Sequence, residues 1–590
     1  MHFLKTFSGK VLLLTGFVFM LSTFQGLNRL KTDEWRCINV ADGFGYYMYL
    51  PHLFNEGSLY MTQEWAQDLQ DKYCEGCYAY QLSMRKNGNQ LDIYHMGLSY
   101  ILLPSYAIGD AIAHIMGYSM DGFSTPYHVV YLLNALLFIF LGLFYLRKLL
   151  LLFVGHRVAG YAILMLYFGT NVYSTFQLQF DLPHLYLFTL NTLFLYHTLT
   201  YLSTQQRQKL IYAALFFGLT TAIRPTQAIF GLIPLLLLFR KFGNTSQFWK
   251  SILFFPLFSL LWNIPQILYW TIVGGELITL NLHTEDIVLT DPNLLDFLFS
   301  YRKGWLIYSP LFLILPFGFY RLLNQNRNQF WAFLSFTLLY IYVLSSWETW
   351  FYANSFGSRV MVDIYPLLIV VIAIGINKLK SKLAIGTITL FVLICTGLNL
   401  FQDFQLKKGY LHTERMSKEH YWYIFGRSKI DNYNESRLLI DRTSLNWLEY
   451  QKELRSPKRY IRSRKIFSIE KPMYSTPTED LTLGRINILE LIKTDETMFE
   501  VKMRVKTTDN SKSSILRMEC VSPYNVYGWQ SLELSQLRKT NNEFEEVIFK
   551  FNLPNIRHQK DEMQIYLDND ANVSVTMQEM TINAHSLIRR

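Results

Sequence analysis

A carboxylate beside a run of tyrosines is the first feature of the sequence that could carry out chemistry. Asp42 lies in the segment ADGFGYYMYLPHLF, close to Tyr46 and Tyr47. A carboxylate near hydrocarbon loses hydration, which raises its pKa toward that of a general base. Asp42 is therefore a candidate catalytic base. The alternative is that Asp42 and Gly43 only form a turn.

A second carboxylate, Asp181, is followed three residues later by His184 in the segment QLQFDLPHLYLF. Residues three apart lie on one face of a helix, and a carboxylate with an imidazole suits a divalent metal or a shared proton network. Asp181 and His184 are thus candidates for a metal site or a proton network, and His184 is a candidate substrate-binding residue. Helix capping by Asp181 ahead of Pro183 is the alternative.

Arg224 connects two short apolar segments, 208–223 and 226–240. A helix of about 15 residues spans roughly 23 Å, which is less than the roughly 30 Å of a membrane core. We therefore expect Arg224 to lie in a cavity below the outer membrane surface. An arginine there requires a partner, and its planar guanidinium suits phosphate. A buried Arg–Asp pair is the alternative.

Two further segments carry candidate substrate-binding residues outside the predicted membrane helices. Arg302 and Lys303 are basic although the predicted topology places them externally, against the usual excess of basic residues in cytoplasmic loops. This exception indicates an anionic partner. Trp347, Glu348 and Arg359 lie in the segment SSWETWFYANSFGSRVMVDIYP. Tryptophans that flank a carboxylate can pack on sugar rings, and they equally form interfacial belts.

Composition places these residues in a membrane protein. The chain has 590 residues, of which 51% are hydrophobic and 17% are charged, and its mean hydropathy is +0.13. A soluble protein carries about 25% charged residues, so the composition argues against a soluble enzyme and against disorder. The net charge of +10 comes from basic clusters at the ends of apolar segments. No zinc-finger, Walker or RNA-binding motif occurs, so we expect no nucleic-acid partner.

The apolar segments predict a polytopic α-helical membrane protein with about eleven transmembrane helices plus juxtamembrane helices. Most segments approach the roughly 20 residues that a crossing needs. They are 11–28, 127–147, 157–175, 183–202, 208–223, 226–240, 249–273, 304–321, 329–346, 360–377 and 383–401. Basic turns place the N-terminus in the cytoplasm and the C-terminus outside. The run 96–116 breaks this parity, so we expect a juxtamembrane or re-entrant element there. The alternative, a true crossing, would put the basic loop 147–157 outside.

The sequence divides into three parts. Residues 1–401 form the predicted multi-spanning domain with an external loop at 29–126, residues 402–464 a linker or juxtamembrane segment, and residues 465–590 an extracytoplasmic β-rich domain. Alternating runs such as MFEVKMRV and FEEVIFKF predict a C-terminal β-sandwich. Cys74 and Cys77 in the external loop predict a local disulfide, since no βαβ pattern surrounds them.

Several of these motifs together resemble bacterial GT-C glycosyltransferases, which are related to protein O-mannosyltransferases and lipid A aminoarabinose transferases. The resemblance covers roughly residues 10–415 and rests on ADGFGYYMYLPHLF, DIYHMGLSYILLPSYAIGDAIAHIMG, DGFSTPY, AIRPTQAIF, YRKGWLIYSP and WETWFYANSFGSRVMVDIYP. It implies a helical bundle with juxtamembrane helices, a polyprenyl-phosphate-linked sugar donor and a catalytic carboxylate in the first external loop. Asp42 matches that carboxylate, and Asp181 is the counterpart of a further acidic residue near the catalytic face. With the topology, the resemblance implies a bacterial cytoplasmic membrane.

The resemblance implies transfer of a sugar to an extracytoplasmic glycan, lipid or protein, with Asp42 as the general base. Arg224, together with Arg302, Lys303 or Arg359, would neutralise the departing phosphate. Asp181 and His184 remain candidate ligands of a divalent metal, and no other cofactor is expected. A transporter or flippase of lipid-linked sugars is one alternative, although no internal repeat is visible. A non-catalytic envelope glycan assembly protein is the other.

Overall fold

The computed structural model describes most of the chain and divides it into two compact units. The described residues are 5–27, 41–74, 79–85, 87–279, 287–347, 349–377, 379–430, 437–438, 459–470, 472–475, 481–487, 497–507, 515–521, 526–533, 543–552, 561–568 and 575–589. The first unit comprises Met1–His283, Pro292–Ser346 and Trp350–Glu414. The second comprises Thr284–Asp291, Trp347–Thr349 and Arg415–Arg590.

The first unit is built almost entirely of helices. In chain order, its α-helices are α1 Phe7–Leu27, α2 Asp42–Tyr47, α3 Tyr49–Asn55, α4 Gln63–Tyr73, α5 Gly97–Met116, α6 Thr125–Leu150, α7 His156–Gly169, α8 Val172–Leu178, α9 Pro183–Thr204, α10 Arg207–Ile223, α11 Leu232–Phe242, α12 Ser246–Ile252, α13 Phe254–Tyr269, α14 Leu294–Phe299, α15 Trp305–Tyr308, α16 Leu315–Gln325, α17 Arg327–Ser345, α18 Tyr365–Ile376 and α19 Lys382–Lys407. Short 3₁₀ helices occur at Pro225–Gly231, Pro310–Ile314 and Arg359–Ile364, and a π-helical turn at Trp270–Gly274. A small antiparallel hairpin, β1 Leu82–Met84 and β2 Gln90–Asp92, lies between α4 and α5.

Six helical segments of the described chain are long and apolar enough to cross a membrane. They are Gly97–Met116, Thr125–Leu150, Pro225–Phe242, Ser246–Gly274, Arg359–Ile376 and Lys382–Lys407. By length and composition they are suited to a membrane-associated protein, which is compatible with the predicted helical membrane class. The eleven crossings remain a prediction. The run 96–116 forms the continuous helix α5, whose length suits a crossing as well as a juxtamembrane helix.

The predicted break at Arg224 is present. Helix α10 ends at Ile223, and Arg224 adopts an extended conformation with φ −145° and ψ 119° before Pro225 begins a 3₁₀ turn. Proline lacks an N–H and disfavours the helical conformation of the residue before it, which explains the break. Gly97 lets α5 approach this end of α10 closely, because a Cβ there would lie 2.3 Å from the Ala222 carbonyl carbon.

The segment Arg359–Ile376 is the most enclosed of the six, with 94% of its residues buried, whereas only 11% of an apolar 18-residue stretch within Lys382–Lys407 is buried. An apolar helix with an exposed surface is stable only where that surface meets lipid or another protein. Protein surrounds Arg359–Ile376, so polar side chains on it meet protein partners. This segment carries two of the charged residues described below.

The second unit contains the predicted β-rich region. After α20 Lys418–Ile424, its strands are β3 Arg459–Ile469, β4 Met473–Ser475, β5 Leu481–Asn487, β6 Thr497–Thr507, β7 Ile515–Val521, β8 Val526–Glu533, β9 Glu545–Asn552, β10 Glu562–Asp568 and β11 Val575–Arg589. They pair antiparallel as one sheet in the order β5-β10-β7-β8 and another in the order β3-β11-β6-β9, with β4 on β11. Residues such as Val501, Met518 and Ile582 from both sheets share one core, which is the arrangement of a β-sandwich.

Cys74 is disulfide-bonded. Its predicted partner Cys77 lies outside the described residues.

Candidate functional site

The Asp42 carboxylate is the centre of a group of polar side chains. Its Oδ2 atom lies 2.6 Å from Nη2 of Arg359, which forms an ion pair, and its Oδ1 atom accepts hydrogen bonds from the hydroxyls of Tyr80, at 2.6 Å, and Tyr94, at 2.7 Å. The Asp42 side chain is 28% exposed, so solutes can reach it. The predicted site residues Asp42 and Arg359 are therefore in direct contact.

The hairpin β1–β2 explains why two distant tyrosines meet at one carboxylate. At the open end of the hairpin, Leu82 pairs with Asp92. Tyr80 and Tyr94 each lie two residues beyond this pair, so the two tyrosines lie side by side. Gln81 fixes the hairpin to the start of α2, because its Nε2 donates to the Ala41 carbonyl oxygen at 2.8 Å. The hairpin thus positions both phenol groups beside Asp42, the first residue of α2.

These donors reverse the pKa shift that the sequence predicts for Asp42. Burial alone would raise the pKa of Asp42, but the charge of Arg359 and the hydrogen bonds from Tyr80, Tyr94 and Arg359 outweigh it and lower the pKa to about 2. The expected raised pKa is therefore wrong for the arrangement in this structure. The reason is that the carboxylate has three charge-stabilising donors, whereas the sequence indicates only its desolvation.

Asp181 lies immediately beside Asp42. A Cβ on Gly43 would come within 2.7 Å of Asp181 Oδ2, so the Asp181 carboxyl packs against the backbone next to Asp42. Burial raises the pKa of Asp181 to about 6, and the nearby negative charge of Asp42 acts in the same direction. Two neighbouring carboxyls with opposite pKa shifts are the arrangement from which acid–base roles are commonly assigned. The capping interpretation is wrong, since the N-cap of α9 is Leu182 and no side chain caps it.

His184 pairs with a carboxylate that the sequence did not single out. Its Nδ1 lies 2.8 Å from Oδ1 of Asp363, and both side chains are almost fully buried. The other oxygen of Asp363 accepts from Gln227 Nε2 at 3.0 Å and from the Tyr340 hydroxyl at 3.3 Å. His184 therefore bonds to Asp363 rather than sharing a metal site with Asp181. Within the described residues, no group of three or more His, Cys, Asp and Glu side chains could hold a metal ion.

Asp363 and Gln227 are functional candidates that sequence reasoning missed. Both follow an arginine in short 3₁₀ segments, Asp363 after Arg359 and Gln227 after Arg224, and both are completely buried. Burying the Asp363 carboxylate in the apolar run RVMVDIYPLLIV is unfavourable unless it has partners. Its position in this run was therefore the sequence signal that could have identified Asp363.

Arg224 is a partly buried cation close to the same network. Its electrostatic interactions are mainly with Tyr46, Asp363, Tyr352 and Tyr340. In the described part of the chain, its guanidinium makes no hydrogen bond and no ion pair with a carboxylate within 4 Å. Arg224 therefore does not form the direct Arg–Asp pair that was the alternative. The nearby carboxylate of Asp363 is bonded to His184, Gln227 and Tyr340 instead.

Arg302 and Lys303 brace the segment that leads to Arg359. The Arg302 guanidinium lies 3.4 Å from the centroid of the Phe351 ring, and its Nε donates to the Glu414 carbonyl oxygen at 3.0 Å. Lys303 is 2% exposed and donates to Ser355 Oγ at 3.0 Å and to the Ser355 carbonyl. Burial lowers the pKa of Lys303 well below its usual value, and the charge of Arg359 adds to this effect.

The remaining predicted residues differ in position. Tyr46 is buried, and its ring centroid lies 4.8 Å from that of Tyr94. Tyr47 is also buried, but its hydroxyl donates to the Gly122 carbonyl oxygen at 2.6 Å, so it contributes to packing. Trp347 belongs to the second unit, where it bridges to Ile287. Glu348 lies outside the described residues.

Comparisons with known proteins add no relative: no family model matches the chain, and neither the curated proteins nor the solved structures contain a match.

Proposed function

We propose that this protein is an integral-membrane glycosyltransferase of the GT-C type. It moves a sugar from a polyprenyl-phosphate donor to an extracytoplasmic acceptor, which is a glycan, a lipid or a protein. The observation that carries the proposal is the ion pair between Asp42 and Arg359, with Asp181 against it. Such a site holds the two kinds of group that the reaction requires, namely a carboxylate for the acceptor proton and a cation for the phosphate.

The arginines support an anionic leaving group. Arg224 is partly buried and lacks a hydrogen-bonding partner among the described residues, and the nearest carboxylate, Asp363, is occupied by other donors. An unpaired guanidinium in a poorly hydrated site gains most from an anion, and its planar fork matches phosphate. Arg224 and Arg359 are therefore the residues that would hold the donor phosphate.

The ion pair also suggests how the base is activated. A phosphate that binds Arg359 competes with Asp42 for the guanidinium. When Arg359 turns to the phosphate, Asp42 loses the charge that lowers its pKa, while burial continues to raise it. The carboxylate then becomes a stronger base at the moment when the donor is bound.

The transfer step balances as a single displacement. The acceptor oxygen or nitrogen attacks the anomeric carbon, and the bond from that carbon to the phosphate oxygen breaks with its electron pair leaving on the phosphate. Asp42 takes the acceptor proton, and Asp181 is the adjacent carboxyl that can share it. Inversion at the anomeric carbon is expected. The leaving polyprenyl phosphate is stabilised by Arg224 and Arg359.

The proposal includes the membrane arrangement. The chain would cross a bacterial cytoplasmic membrane eleven times, with a cytoplasmic N-terminus and the β-sandwich outside. The six membrane-length apolar helices support a membrane location. On this topology α2, the hairpin β1–β2 and the Asp42 site lie at the outer membrane face.

The test uses the full-length protein in lipid nanodiscs with radiolabelled polyprenyl-phosphate sugars. Release of polyprenyl phosphate is compared for the wild type, Asp42→Asn and the control Asp68→Asn. Asp68 is exposed on α4 in the same external loop. We expect Asp42→Asn to lose at least about a hundredfold in rate, the usual contribution of a general base, and Asp68→Asn to lose nothing.

Full activity of a correctly inserted Asp42→Asn protein would refute the assignment of the base. Movement of intact lipid-linked sugar across proteoliposome membranes without release of polyprenyl phosphate would instead support the transporter alternative. Neither release nor movement would favour a non-catalytic assembly protein.

A further inference from the structure

One end of the first unit carries a surplus of positive charge. Residues 122–180 and 182–275 contain nine Lys and Arg residues but no Asp or Glu. Eight of the nine lie in three turns between helices, at 147–157, 205–209 and 240–250. Like charges that gather without carboxylates repel one another, so a surface of this kind is stabilised by anions from outside the chain.

The three turns are neighbours in space. Lys148, in the first turn, lies with its Nζ atom 5.9 Å from the ring centroid of Tyr196 on α9, and α9 leads directly into the second turn. Lys241, in the third turn, donates to the Leu202 carbonyl oxygen at the end of α9. Arg224 lies at the opposite end of α10, a helix of 17 residues and therefore about 25 Å long. The basic end is thus separate from the candidate site described above.

Lys148 is held in an aromatic setting at the end of α6. Its Nζ atom lies 4.6 Å from the ring centroid of Phe144 and 4.7 Å from that of Tyr145, in addition to the contact with Tyr196. Aromatic rings attract an ammonium group but do not neutralise its charge. Within the described part of the chain, the Lys148 side chain forms no salt bridge and no hydrogen bond, and it is partly exposed. Its three N–H donors are therefore available to an outside acceptor.

Lys209 adds a second cation to the same place. The electrostatic interactions of Lys148 are mainly with Lys209 and Arg147, and both are cations. Arg147 is turned inward, where its Nε donates to Ser8 Oγ at 2.9 Å. Lys209 lies in the first turn of α10, partly exposed and without a salt bridge to any described residue, and the partial positive charge of the helix start adds to its own. An anion beside Lys148 therefore meets two cations.

The surface of α6 that leads to Lys148 is apolar and exposed. Leu133 is 57% exposed, Leu137 61% and Phe140 42%. With Phe144 and Lys148, these residues follow one another at intervals of three or four, so they share one face of the helix. Leu137 precedes Lys148 by about three turns, or about 16 Å, which is close to half of the roughly 30 Å hydrocarbon core of a bilayer. This face therefore matches a molecule that has an apolar chain and a charged group at one end.

We propose that Lys148 and Lys209 bind the phosphate group of an anionic phospholipid, whose acyl chain lies along Leu137 and Phe140 of α6. The phosphate supplies the negative charge that this end of the first unit lacks, and the apolar face favours a lipid over free phosphate. The inference rests on the membrane location and not on the proposed glycosyltransferase activity. On the topology proposed above, this end faces the cytoplasm, where the membrane leaflet carries anionic lipids.

The first arm of the test measures lipid binding by native mass spectrometry of the full-length protein released from detergent micelles. Phosphatidylglycerol and phosphatidylcholine with the same acyl chains are titrated separately, since the two lipids differ in net charge. Lys148→Met keeps the length of the side chain and its ring contacts but removes its charge. Lys250→Met is the matched control, because Lys250 is exposed on α12 in the third turn and contacts none of the three rings around Lys148.

We expect the wild type to bind phosphatidylglycerol at least about tenfold more tightly than phosphatidylcholine. Lys148→Met should weaken phosphatidylglycerol binding at least about tenfold, the value of a hydrogen bond to a charged group, and leave phosphatidylcholine binding unchanged. Lys209→Met should weaken phosphatidylglycerol binding about fivefold, as expected for one basic residue near a lipid headgroup. Lys250→Met and the charge-conserving Lys148→Arg should stay within about threefold of the wild type.

Folding is checked in the same variants by thermal melts in phosphatidylcholine nanodiscs. Lys148→Met relieves the repulsion between Lys148 and Lys209, so its Tm should equal or exceed that of the wild type. Lys209→Met changes a different helix and repeats the binding test independently.

Equal affinity of the wild type for the two lipids would overturn the proposal, as would equal losses in Lys148→Met and Lys250→Met. The second arm adds soluble glycerol phosphate in large excess. Retention of phosphatidylglycerol supports a lipid site, whereas its displacement would show that the site takes free phosphate and would refute the lipid assignment. Neither arm uses a sugar donor, so failure of the lipid proposal and failure of the glycosyltransferase proposal are distinguishable.

Discussion

Arg359 Nη2 lies 2.6 Å from Asp42 Oδ2, although the two residues are 317 positions apart in the chain. The pair joins the first residue of α2 to the first residue of the enclosed segment Arg359–Ile376. A partly buried carboxylate is thus held in its charged form by a single cation and two phenols. Any anion that attracts Arg359 will change the proton affinity of Asp42, and this relationship is the basis of the proposed mechanism.

The activity should depend on pH through Asp181. Burial raises the pKa of Asp181 to about 6, so its carboxylate becomes protonated as the pH falls through that value. If the site requires the carboxylate, kcat/KM for the donor falls below about pH 6. In Asp181→Asn this acid limb should be absent, and the rate should be uniformly low. An unchanged acid limb in Asp181→Asn would assign the ionisation to another group.

Asp181 should also affect stability with a defined sign. A carboxyl whose pKa is raised on folding stabilises the native state below its unfolded pKa, and this contribution is lost as the pH rises through about 6. Asp181→Asn should therefore increase the free energy of unfolding by about 3 kcal/mol at pH 8 and have little effect at pH 4. Thermal melts in nanodiscs at both pH values test this, and destabilisation at pH 8 would contradict it.

The close approach of Asp181 to Gly43 should be required for activity. Because a Cβ on Gly43 would lie 2.7 Å from Asp181 Oδ2, Gly43→Ala forces the two carboxyls apart. We expect donor turnover to fall at least about tenfold, since small displacements of reacting groups are costly. Gly155→Ala is the control, because a Cβ on Gly155 meets nothing within 4 Å. Equal turnover by both variants would show that the carboxyls need not be in contact.

Arg224 should contribute to donor binding rather than to folding. Its guanidinium forms no hydrogen bond with a described residue, so Arg224→Gln removes no such bond from the fold. We expect the donor KM to rise at least about tenfold, the value of a charge-assisted hydrogen bond, with Tm unchanged or higher. Arg302→Gln, which loses contacts with Phe351 and Glu414, should lower Tm instead. A normal donor KM in Arg224→Gln would remove Arg224 from the site.

The cost of burying charge made much of the site predictable from the sequence. Asp42, Asp181, Arg224 and Arg359 each lie beside an apolar segment, where an ionised group is unfavourable without a partner or a function. The structure brings Asp42, Asp181 and Arg359 together, and Arg224 is electrostatically coupled to the same group through Tyr46.

What could not be predicted is which residues pair. Nothing in the sequence links Asp42 to Arg359, and Tyr80 and Tyr94 are two of 39 tyrosines. Their role depends on the short hairpin β1–β2, whose three-residue strands carry little sequence signal. These contacts lower the pKa of Asp42, whereas the sequence indicates only the burial that raises it. The sequence therefore predicts the shift with the wrong sign.

The β-rich region was predictable where alternation is regular. Strand β7 buries every second residue, as the alternating sequence indicates. Strand β8, Val526–Glu533, has the sequence VYGWQSLE, in which apolar and polar residues do not alternate, and it was not predicted. Periodicity identifies a strand only when one face is apolar and the other polar.

The most direct test of the account is a double-mutant cycle on Asp42 and Arg359. Single-turnover release of polyprenyl phosphate is measured for the wild type, Asp42→Asn, Arg359→Gln and the double variant. Because the two residues act as one unit, the double variant should be within about threefold of the slower single variant. If the two losses instead multiply, or if Asp42→Asn retains the wild-type rate, the proposed coupling between phosphate binding and the base is contradicted.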